Sequence, residues 1–130
     1  MSIRIVRLGT PRSDNEGLRI GTVRRPPRGV PKTEFASGNW YDIWYPNLAP
    51  SVETMKQAQA AETPAQWRAF EKAFKAEMAQ PDAARTIELL AVLSRQTHFA
   101  VGCYCEREDH CHRSILRHLL VQAGADVLPD

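Results

Sequence analysis

The sequence predicts an α/β protein, a single domain over residues 1–130 built as a three-layer sandwich with a mostly parallel central sheet. Three observations carry that expectation. Strand-like and helix-like segments follow one another in a βαβ order, which produces parallel sheets. Residues 98–105 form a short, nearly continuous apolar run, the pattern of a central strand covered on both faces. The length, 130 residues, is that of one domain, able to bury about two thirds of its unfolded surface.

Ile3, Ile5 and Val6-Arg7-Leu8 alternate as a first strand. Residues 10–17 are turn-rich, and 18–23 read as a second strand. Pro26-Pro27-Arg28-Gly29-Val30-Pro31 excludes regular structure, because proline fixes φ and removes a donor. The segment from about 24 to 50 is therefore expected as a long aromatic and Pro-rich loop, a kind that usually carries function or acts as a lid.

Helices follow. Ser51 is placed to cap a helix starting at Val52, with Glu53 in its first turn. Thr63-Pro64-Ala65-Gln66 is a capping box with proline at the first helical position. The helix it opens carries Trp67, Phe70, Phe74 and Met78 on one face, a core stripe. Pro81-Asp82 starts another, with Ile87, Leu90, Ala91 and Ser94 on one side. The strand at 98–105 comes next. A last helix is expected from about 110 to 123, ended by Gly124, and 126–128 as a final short strand.

At 43% hydrophobic and 25% charged residues, the chain is a folded globule rather than a disordered one. A net charge of +2 is too small to indicate nucleic acid by itself. Its distribution is lopsided: eight of the 17 Lys and Arg lie in the first 32 residues, opposed there only by Asp14 and Glu16. A basic surface facing an anion would look like this. So would a solvated edge whose arginines pair with acidic helices. No apolar stretch reaches the length of a membrane span, and the N-terminus has no signal-peptide pattern. Three cysteines cannot all pair within one chain, and they are clustered, so a reducing, cytoplasmic setting is expected.

Residues 103–113 hold all three cysteines and two of the four histidines. With Asp109 as the cap of the last helix, Cys111 falls near the second helical position, where the dipole favours a thiolate. Cys105 has no such help. Three chemistries fit. In the first, the turn binds a small anion, phosphate or carboxylate. Cys105 or Cys111 is then the attacking or redox thiol, Glu106 or His112 the acid/base, and Arg24, Arg28 and Arg113 the anion clamp. No cofactor is required. In the second, Cys103, Cys105, Cys111 and His112 hold zinc or iron. Cys111 and His112 diverge on a regular helix, so this needs an irregular turn. In the third, the arginine-rich N-terminal third and Trp40, Tyr41, Trp44 and Tyr45 bind nucleic acid, the rings stacking on bases. The plain structural alternative makes Cys103 and Cys105 core residues, His112 a hydrogen-bonded scaffold residue and Arg113 the partner of Glu106 or Glu108.

These residues resemble a known family of small prokaryotic proteins, domain of unknown function 488, and its YeaO-like branch. Cys103 to Glu106 and Cys111-His112-Arg113-Ser114 fill the places of its strand-end cysteine with an acidic residue and its helix-opening Cys-His-Arg. Arg24 with Pro27-Arg28-Gly29, Trp44 with Leu48-Ala49-Pro50-Ser51, and Trp67, Phe70, Phe74 and Glu77 match three further motifs in order. The acidic residue usually two after the first cysteine is replaced here by Cys105, an extra thiol, and Arg25-Pro26 replaces an apolar-aromatic pair. The resemblance implies a compact three-layer α/β fold and no particular activity. It also suggests that Arg24, Arg28 and Arg113 converge on the cysteine turn.

Overall fold

The computed structural model describes residues 1–105 and 111–129. Glu106, Asp109 and His110 lie outside the described residues, and with them the acid/base role expected of Glu106, the capping role expected of Asp109 and the pairing of Glu108 with Arg113.

Four parallel strands form the sheet, in the order β1-β4-β2-β3. They are β1 (Ile3–Arg7), β2 (Leu18–Gly21), β3 (Ile43–Trp44) and β4 (Phe99–Cys103). All five residues of β4 are buried, because it lies between two strands and under two layers. That is why it reads as an unbroken apolar run. The expected strand at 126–128 reduces to one parallel bridge, Ile3 to Val127.

The register puts Ile3, Ile20, Phe99 and Val101 on one face. There they pack against Phe70, Phe74 and Met78 of α2 (Pro64–Met78), Ile87 and Leu90 of α3 (Pro81–Leu93), and Ile115, Leu116 and Leu120 of α4 (His112–Gln122). Fully burying one such side chain stabilises by about 1.5–3 kcal/mol, so this face carries most of the fold. The capping box of α2 forms as expected, Thr63 accepting from the Gln66 N–H and Gln66 accepting from the Thr63 N–H. Ser51 caps α1 (Val52–Ala60) by accepting from the Thr54 N–H. Glu77 of α2 accepts from the Ser51 and Thr54 hydroxyls, which ties the start of α1 to its neighbour.

The other face carries no helix. α1, α2 and α3 follow one another between β3 and β4 without a strand to return them, so loops make the third layer. Tyr41 lies against Gly21, where any Cβ would collide with its ring. Gly102 admits Val6 and Leu8, and a Cβ there would stand 2.6 Å from the Val6 carbonyl oxygen. Beside them the Arg19 guanidinium is fully buried.

Within the expected loop at 24–50 lie β3 and two 3-10 turns, Lys32–Glu34 and Pro46–Leu48. β3 has two residues, both exposed, too few to alternate visibly. Among the described residues no helix is long and apolar enough to cross a membrane.

Candidate functional site

β4 delivers Cys103 to the carboxyl edge of the sheet, where ligands bind in open α/β sheets. The chain continues through Tyr104 and Cys105 and returns at Cys111, the N-cap of α4. All three cysteines are free. Cys103 and Cys111 are buried, their sulfurs 2.7 Å apart, while Cys105 is exposed.

Cys111 is therefore not the second helical residue. It sits at the cap in an extended conformation, φ −149° and ψ 155°, and its side chain caps nothing. That irregular step lets the sulfur of Cys111 and the ring of His112 face the same place. His112 is buried against Phe74, its ring edge-on at 5.6 Å. Its Nε2 lies 2.7 Å from the Thr22 carbonyl oxygen. A carbonyl can only accept, so Nε2 carries the proton and Nδ1 the lone pair. Nδ1 stands 3.8 Å from the Cys111 sulfur. Burial, the largest influence, lowers the pKa of His112 and keeps it neutral.

The ionisation order reverses the expectation. The neighbouring Cys103 and Cys111 side chains, helped by the charge of Arg113, outweigh burial and bring the Cys105 thiol down to about 2. Cys111 is pushed up to about 11: the hydrogen bond with Cys103 favours its thiolate, but the Cys105 side chain, burial and the Cys105 charge outweigh it. Burial raises Cys103 far above the ordinary thiol range, with its two sulfur neighbours adding to the effect. The shifts favour the thiolate at the exposed sulfur over the two buried ones.

The three arginines occupy three different places. Arg113 is buried, and its Nη2 donates to the Cys105 carbonyl at 2.6 Å. Its Nε has no partner among the described residues. Arg24 donates to the carbonyls of Pro50, Ala49 and Pro46 at 2.9–3.2 Å, so its donors hold the 46–50 segment. Arg28 is exposed and lines a neighbouring cavity.

A cavity of about 480 Å³ opens over the thiols. Cys103, Cys105 and His112 line it, with Arg24, Arg25 and Tyr104 beside them and Val52, Met55, Lys56 and Gln59 of α1 as a further wall. Nothing in the sequence marks α1 as a wall, because that depends on how it folds back along α2. Cys103, Cys111 and His112 also offer ligand atoms within 4.8 Å of one another, so these three can hold a metal. Cys105 lies outside that set.

The model of one protein family, described as the active subclade of DUF488-N3, matches residues 3–124. The chain belongs to this family. No curated protein and no solved structure matches it. The match covers β1 through the end of α4, so the thiol turn and the helices that shape its cavity belong to the shared domain.

Proposed function

We propose that this DUF488 protein is a thiol-dependent enzyme that acts on a small anionic substrate by nucleophilic displacement, with Cys105 as the attacking sulfur. The observation that carries this reading is the three-thiol constellation. One sulfur is open to a cavity, and two buried sulfurs in contact with each other lie in the same turn. A thiolate is the nucleophile, and its availability at neutral pH decides reactivity. The family description's word "active" agrees with a working site. A reducing, cytoplasmic setting belongs to the same proposal, since the chemistry needs free thiols.

In the displacement, Cys105 supplies the electron pair of the new sulfur bond. The leaving group departs with the pair of the broken bond and takes a proton from water in the open cavity. A second displacement by water frees the thiol. Cys103 and Cys111 keep their protons throughout and hold the attacking sulfur anionic. Arg113 adds positive charge and fixes the Cys105 carbonyl. His112 cannot serve as the acid, since its single N–H is held by the Thr22 carbonyl. It positions the turn and presents Nδ1 to the sulfurs.

Iodoacetamide alkylation between pH 5 and pH 9 tests this. Cys105 should react at a rate nearly independent of pH, and Cys105→Ser should lose that reaction. A rate that climbs tenfold per pH unit toward about 8.5, the ordinary thiol value, would sink the proposal. Stoichiometric zinc in the purified protein, with alkylation only after chelation, would replace it by the metal reading.

A further inference from the structure

Beside the thiol pocket lies a second cavity, of about 570 Å³, that the chemistry above does not use. Among the described residues its lining includes Arg25, Arg28, Trp40 and Tyr104, and no carboxylate. Arg25 and Tyr104 line both cavities, and Tyr104 is the residue between Cys103 and Cys105.

The walls are braced from within. The Tyr104 hydroxyl donates to the Arg25 carbonyl at 2.8 Å, and Arg7 Nε donates to the Tyr104 carbonyl at 3.3 Å. The Trp40 indole meets the Tyr104 ring edge-on at 5.9 Å. It is backed by Gly9, which has φ +89° and where a Cβ would come within 2.9 Å of the ring. Glycine there serves both the left-handed turn and the close approach of the indole.

We infer that this cleft is a nucleotide subsite, the exposed Arg25 and Arg28 taking the phosphate and Trp40 stacking on the base. Guanidinium groups bind phosphate through paired N–H donors, and an indole offers a flat face to any base. A bare phosphate or a small carboxylate would use the charge and leave the ring idle. The volume lies in the range of small-molecule sites. With the proposed thiol chemistry, on which this assignment of substrate class rests, the reacting centre of the nucleotide would reach Cys105 past Tyr104. Binding itself needs neither Cys105 nor turnover, so the two proposals fail separately.

Calorimetric titration of the full chain with AMP, a single-stranded octanucleotide and inorganic phosphate decides it. Either nucleotide probe should bind at least tenfold tighter than phosphate, weakening as salt rises. AMP preference points to free nucleotides, and octanucleotide preference to a strand. Trp40→Leu should cost nucleotide binding fivefold or more with phosphate binding unchanged, and Trp40→Phe should restore most of it. Arg28→Ala should weaken all three probes, and Cys105→Ser none. Neither nucleotide probe binding tighter than phosphate, an unchanged Trp40→Leu in a protein with wild-type circular dichroism, or no binding of any probe would each overturn the subsite. Only the alkylation profile bears on the thiol reading.

Discussion

Arg19 and Arg113 are both withdrawn from solvent, at 0% and 4% exposure, yet they are accommodated differently. Arg19 faces Glu16 through two parallel N–H···O bonds of 2.8 and 2.9 Å and donates again to the Thr10 and Asn39 carbonyls. Arg113 donates to one carbonyl and leaves Nε unmatched, and no described carboxylate pairs with it. Its charge helps to lower the pKa of the Cys105 thiol. Burying a cation without a partner is expensive. Arg19 meets that cost with a complete structural network, which stitches the loop layer onto the sheet. Among the described residues Arg113 meets it only in part, through the Cys105 carbonyl.

The largest effect expected from breaking this contrast is on the structural side. Glu16→Gln strands the Arg19 charge in the interior and should cost about 3–5 kcal/mol of stability, the usual range for breaking a buried pair. Urea denaturation measures it. Alkylation of Cys105 should be unchanged. The pH dependence has a definite sign. Burial pushes the Glu16 carboxyl up, but Arg19 and the Ser13 N–H, with Arg12, more than offset it, so the folded pKa is lowered. That stability is present above the unfolded value of about 4.3 and is lost as pH falls below it. Glu16→Gln should flatten this part of the acid-denaturation curve.

Next come the thiols. Cys103→Ala removes the largest of the influences that lower the Cys105 thiol, and Cys111→Ala the next. Each should return the alkylation profile toward that of a free thiol and slow the reaction at pH 6 about tenfold or more. A wild-type profile in both variants would show that the buried sulfurs do not matter to the exposed one.

Arg113→Met sharpens the comparison from the other side. The charge ranks below the two thiols among the influences on Cys105, so the slowing at pH 6 should be smaller, about threefold to tenfold. The stability loss should fall short of that for Glu16→Gln, because no described carboxylate is stranded. Arg113→Lys should keep part of the reactivity, since it restores the charge without the planar fork. A loss equal to that of Glu16→Gln would make Arg113 a second Arg19.

Much of the helical layer was legible. The Ser51 cap, the Thr63 box and the stripe through Phe70, Phe74 and Met78 are local signals, and each became the element it predicted. β4 was legible because burial on both faces removes alternation. Long-range placement was not. Arg19 reads as one more basic residue of a charged N-terminal third, although it ends in the interior. Cys111 reads as helical because the described cap lies in a turn whose local residues favour an earlier start. Which thiol ionises depends on three sulfurs brought together by a turn, and spacing alone cannot rank them. Tyr104 and Arg25 join two cavities only because β4 and the segment after β2 end side by side.

The smallest effect should come from Arg12 and Asp42. Their pair closes at 2.8 Å and joins the loop layer to β3, with both side chains about a quarter exposed. Burial raises the Asp42 carboxyl, but hydrogen bonds from Arg12 and the Arg19 N–H outweigh that and lower it. Water screens such a pair, so Arg12→Ala should cost only about 0.5–1 kcal/mol and less at high salt. Asp42→Ala should cost more than Arg12→Ala, because Asp42 also accepts from the Arg19 backbone N–H at 2.7 Å and its loss leaves that donor unmet. If urea titrations rank the two variants the other way, the loop layer is held by the guanidinium rather than the carboxylate. Arg19 would then be kept in place through Arg12.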